Sequence, residues 1–105
     1  MTFKELYTKA NAETGIKTVM VKIIDDTPPP YCIIEPDGNV PIKADDKTIC
    51  DFNKAVFVLT TSKRDVEAET TIEEFFNNNE IDFVIEDEGY NETESIYEVV
   101  YGIVF

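Results

Sequence analysis

The sequence has 105 residues, 43% of them apolar and 30% charged, with 22 acids against 9 bases and a net charge of −13. That length supports one hydrophobic core in a single domain spanning 1–105, and the composition excludes a disordered tail. The charge excludes tight binding to free DNA, RNA or an anionic membrane surface, because long-range repulsion opposes each of them.

No apolar run approaches the roughly 20 residues that cross a bilayer. No apolar segment follows a basic start at Met1, so neither an anchor nor a signal peptide is expected. Cys32 and Cys50 lack C-x-x-C spacing, and the chain contains no histidine, so no zinc site is expected. Both cysteines read as buried, reduced thiols in strands.

Thr2-Phe3-Lys4-Glu5 has the spacing of a capping box, and Phe3, Leu6, Tyr7 and Ala10 form an apolar stripe. A short helix over about 3–13 is predicted, closed by Gly15. Residues 18–24 are rich in β-branched side chains and predict the first strand, with Val19, Val21 and Ile23 on one side. Asp25 to Thr27 and three prolines interrupt it, since proline removes ladder donors. A short strand over 31–35 follows, then turn chemistry at Pro36-Asp37-Gly38-Asn39. Residues 38–47 are polar, lack periodicity and contain Pro41, so they predict a projecting loop that carries Val40, Ile42, Asp45 and Asp46.

A long strand over 48–61 is predicted next, ending in the apolar run Ala55 to Leu59. Ser62-Lys63-Arg64-Asp65 has capping-box spacing, and Ala68, Ile72, Phe75 and Phe76 fall on one helical face. Glu67, Thr70, Thr71 and Glu74 face away. This predicts a helix over 62–78, ended by asparagines that tolerate the left-handed conformation. Residues 81–86 alternate as a half-buried strand, and 86–94 read as an acidic hairpin loop. The last strand, 95–105, places Tyr97, Val99, Tyr101, Ile103 and Phe105 on one side and Ile96, Val100 and Val104 on the other.

The predicted fold class is α+β, a mixed and mainly antiparallel five-stranded sheet with two helices on one face. Its order is helix, three strands, helix, two strands. Two helices cover one side of such a sheet, yet Val56, Val58, Val100 and Val104 add apolar side chains to the other. Either the sheet folds on itself or a neighbouring subunit covers them, and exposed patches of that kind mark interfaces. A homo-oligomer is the expectation, with these four valines at its interface.

Chemistry-bearing patterns are sparse. Glu86, Asp87, Glu88, Glu92 and Glu94 are acids enough for a hard cation, but their spacing does not match an EF-hand loop and reads as a solvated hairpin tip. Without histidine the usual activated serine or threonine nucleophile cannot be assembled. The four glycines fall in no phosphate-cradling pattern. No catalytic residue, metal ligand or cofactor site is assigned, and an enzyme is not expected.

The element order and several local strings resemble the small tail-terminator or tail-completion proteins of long-tailed bacteriophages, especially those of Gram-positive hosts. The strings are Pro29-Pro30-Tyr31, Ala44-Asp45-Asp46-Lys47, Leu59-Thr60 with Lys63, Asp65, Glu67 and Glu69, and Glu94-Ser95 with Tyr97-Glu98-Val99-Val100-Tyr101. The third proline and the brief strand at Tyr31 depart from longer, more aromatic versions. The resemblance implies a non-enzymatic structural protein of the virion, assembled in the host cytoplasm as a ring, commonly a homohexamer. Such a ring caps the tail tube, ends its polymerisation and joins tail to head, so its partners are its own copies, the tail tube protein and a head-closure or connector protein. A closed ring supplies the missing cover for the second strand faces. Acids such as Glu86, Asp87 and Glu88 along a channel would let DNA pass without sticking. The alternative from another class is a small acidic DNA mimic that blocks a basic DNA-binding protein with strong salt dependence.

Overall fold

The computed structural model describes residues 1–21, 27–44 and 47–105, with side chains described outside 38–52. Its elements are α1 (Phe3–Thr14), β1 (Lys17–Met20), β2 (Tyr31–Ala44), β3 (Lys47–Thr61), α2 (Val66–Asn78), β4 (Asp82–Asn91) and β5 (Ile96–Val104). The five strands form one sheet in the order β1-β2-β3-β5-β4, with β1 parallel to β2 and every other pairing antiparallel. This is the expected α+β class and element order. No helix among the described residues is long and apolar enough to cross a membrane.

Helix α1 begins and ends as its sequence dictates. The Glu5 backbone N–H donates to Thr2 Oγ1 at 3.1 Å, and the Thr2 N–H donates to Glu5 Oε1 at 3.0 Å. These bonds satisfy donors that a helix start leaves open, and they hold the Glu5 carboxyl below its ordinary range. Gly15 closes the helix with φ at 71°, a left-handed conformation that costs glycine nothing.

Helix α2 starts three residues later than the spacing at Ser62 predicts. Asp65 is the N-cap, its Oδ1 accepting from the Ala68 N–H at 3.0 Å. An aspartate in extended conformation reaches that amide directly, so residues 62–64 remain a connection and not a first turn. At the other end Asn79 is not left-handed; Glu80 is, with φ at 56°. Asn79 instead uses its side-chain amide to donate to Phe75 O at 2.9 Å and to Glu13 Oε1 at 3.0 Å, which ties the ends of the two helices together.

The core lies between the helices and one face of the sheet. Leu6 and Ala10 from α1 and Ala68, Ile72, Phe75 and Phe76 from α2 pack on Cys32, Ile34, Phe57, Leu59, Val99, Tyr101 and Ile103. Phe76 is its hub, with ring centroids 5.1 Å from Phe57, 5.1 Å from Phe83 and 5.3 Å from Tyr101. The contacts with Phe57 and Tyr101 are edge-to-face and that with Phe83 is tilted, and such ring pairs add to the burial of large rings. Cys32 is a free, buried thiol, pushed up to about 12 by desolvation. Cys50 lies on β3, and its side chain is outside the described set.

Three strand boundaries differ from expectation. β1 stops at Met20, because Val21 turns left-handed at φ 70°, although its N–H still donates to Ile34 O at 2.7 Å. Positions 22–24 of the predicted strand lie outside the described residues. β2 runs through the predicted loop, pairing Asn39 with Asn53, Val40 with Phe52, Pro41 with Asp51 and Ile42 with Cys50. β1 covers β2 only as far as Ile34, so among the described residues the rest of β2 is an edge, where proline's missing donor costs little. Val40 and Ile42 therefore sit on a two-stranded arm that pairs only with itself among the described residues, while Asp45 and Asp46 fall outside them. β4 likewise continues through the predicted acidic loop to Asn91, leaving a turn over 92–95. Glu86, Asp87 and Glu88 are strand residues, with a register shift between Ile85 and Asp87.

Candidate interaction surface

Strand alternation creates a second sheet face, turned away from both helices. The registers place Ile33, Val58, Val100 and Asp87 in one cross-strand row, and Glu35, Val56, Gly102 and Val84 in the next. A third row joins Lys54, Val104 and Asp82. Val56, Val58, Val100 and Val104 are thus brought onto one surface, with Val58 and Val100 direct partners. All four are half-buried, whereas their chain neighbours Phe57, Tyr101 and Ile103 are fully enclosed on the helix side. The surface is an apolar strip across the central strands β3 and β5, bordered by acids on β4.

That border is built around a glycine. Gly102 leaves room for the Glu86 side chain, whose Oε2 lies 2.6 Å from where a Cβ on residue 102 would stand. With Lys54, Asp82, Val84 and Val104, the pair lines a depression of about 150 Å³. Lys54 Nζ also approaches Asp37 Oδ2 at 3.7 Å, an exposed contact of little energetic weight.

The structure splits the acidic trio. Asp87 pairs with Val100 and shares the valine face with Glu86, whereas Glu88 pairs with Val99 and points to the helix side. Asp87 Oδ1 accepts from the Glu88 N–H at 2.9 Å.

Three polar arrangements were not legible in the sequence. Asn11 on α1 closes the outer edge of β1: its Nδ2 donates to Thr18 O at 2.8 Å and its Oδ1 accepts from Thr18 N–H at 2.9 Å. Tyr101 donates its hydroxyl to Glu73 Oε2 at 3.0 Å, and burial first, with that carboxylate second, raises the phenol well above its ordinary range. Glu69, buried in the first turn of α2, has Arg64 Nε at 3.5 Å, a charge contact too poorly aligned to count as a hydrogen bond.

No protein-family model matches the chain, and no curated protein matches it either.

Proposed function

We propose that the chain is a non-enzymatic structural subunit of a bacteriophage head-tail module, a tail terminator that closes into a ring, caps the tail tube and joins tail to head. The observation that carries this reading is the half-buried strip of Val56, Val58, Val100 and Val104 on the face that neither helix covers. Head-to-tail packing of copies would remove that strip from water, at roughly 25 cal/mol per Å² of apolar surface buried. The resemblance in element order and local strings supplies the rest, including six copies as the ring size, the tube and connector as partners and the virion as the location. In such a ring Glu86 and Asp87 would share one wall, and repulsion of phosphates there would keep DNA in transit from sticking.

The test is incubation of the purified chain with growing tail tubes, followed by electron microscopy. The reading requires annular density at tube ends and an arrest of tube growth. Tubes that lengthen unchanged, with bare ends, would refute it.

A further inference from the structure

The sheet has two outer edges, and the chain treats them differently. On β1 the carboxamide of Asn11 takes both backbone groups of Thr18, copying the pair of bonds a neighbouring strand would make. That edge is closed at its centre by a side chain. At the other edge β4 pairs, among the described residues, with β5 alone over ten residues. An edge strand presents unpaired N–H and C=O groups to any extended chain, and proteins guard such edges with lysine, proline or bulges. β4 has neither lysine nor proline, and its guards are one register shift between Ile85 and Asp87 and the acids Asp82, Glu86, Asp87 and Glu88, which turn away an acidic strand and not a basic one.

The side chains of β4 specify what fits. Among the described residues, three of the six exposed large hydrophobic side chains lie on this strand, Val84 at 61%, Ile85 at 48% and Tyr90 at 52%. Val84 is on the valine face, and Ile85 and Tyr90 are on the helix face, so a flat surface on one side cannot cover all three. A strand added edge-on places its own side chains beside β4 on both faces at once. Asp82, Glu86, Asp87 and Glu88 add negative charge to both faces, with no base on the strand to offset it. A second β4 laid against this one would set acids beside acids, which cross-strand pairing disfavours.

We propose that β4 is a strand-addition site for an extended segment of another protein, one in which lysine or arginine alternates with apolar residues. Main-chain bonds supply the general affinity, while charge and the depressions beside Val84 and Tyr90 select the partner. The site uses the edge of the sheet and does not depend on the ring.

Hydrogen exchange with a synthetic decapeptide alternating lysine with valine and threonine tests the assignment, with the same peptide carrying glutamate for lysine as the control. The lysine peptide should slow exchange at residues 82–91 by about tenfold or more. Raising salt from about 0.05 to 0.5 M should weaken the effect. The double variant Asp87→Lys, Glu88→Lys, whose side chains are solvent-exposed, should keep its circular dichroism and lose the protection. No slowing on β4 would overturn the proposal, as would equal slowing by the glutamate peptide. Protection of β4 in the chain alone that grows with protein concentration would assign the edge to a second copy and overturn the basic-segment occupant.

Discussion

Asn11 and Thr18 form a side-chain substitute for a strand pair: one carboxamide accepts and donates at 2.9 and 2.8 Å to the same residue's backbone. Replacing Asn11 with alanine removes both bonds and bares the β1 edge. A stability loss of about 1–3 kcal/mol is expected, the cost of leaving part-buried backbone groups unpaired. Urea unfolding measures it through a lower midpoint with an unchanged slope. Light scattering should also register concentration-dependent association that the native chain lacks at the same edge.

The spacing at Ser62-Lys63-Arg64-Asp65 names Ser62 as the cap, and the fold gives that role to Asp65. Asp65→Ala should cost about 1 kcal/mol of stability, the usual loss of a good N-cap, whereas Ser62→Ala should change it by a few tenths at most. Thermal unfolding of the two variants side by side decides between the sites.

Phe76 touches three other rings at 5.1 to 5.3 Å and is fully buried. Truncation to alanine leaves a cavity that Phe57, Phe83 and Tyr101 cannot collapse into together, and a loss of about 3–5 kcal/mol is expected. Against a total of roughly 5–15 kcal/mol for a domain, calorimetry should find a large drop in melting temperature.

Much of this architecture is readable from local chemistry. Thr2 with Glu5, Gly15, and the stripe of Ala68, Ile72, Phe75 and Phe76 behave as their spacing dictates. The two strands that run through predicted loops, β2 and β4, share one physical cause, the exposed sheet edge. Pro36, Gly38 and Pro41 are turn residues by propensity, yet β2 carries them because, among the described residues, only β3 lies beside it past Ile34 and its outer side is open. Glu86 to Asn91 are too charged to suggest a strand, yet at an outer edge their carboxylates reach solvent while the backbone pairs with β5. The valine surface is readable from alternation. Asn11 meeting Thr18, Glu86 over Gly102, and Tyr101 meeting Glu73 depend on tertiary approach and leave no mark in spacing.

Stability should fall on the alkaline side in two stages. The folded Cys32 thiol is raised from 9.0 to about 12, and the folded Tyr101 phenol is raised from 10.0. Between those values the unfolded chain holds fewer protons, so stability is full below about pH 9 and is lost as pH climbs toward 12. The Tyr101→Phe variant should flatten the portion above about pH 10 and leave the Cys32 portion in place. Denaturant midpoints across that range measure both.

In the proposed ring, copies of the chain cover the valine face. In a Cys50→Ser background the remaining native thiol, Cys32, is buried and resists alkylation, so a cysteine introduced at Val58 reports on that face alone. Maleimide labelling of Val58→Cys should be ready in the free chain and strongly suppressed once it has assembled on tail tubes. Equal labelling before and after assembly would show the strip still facing water, and would contradict the ring interface proposed for it.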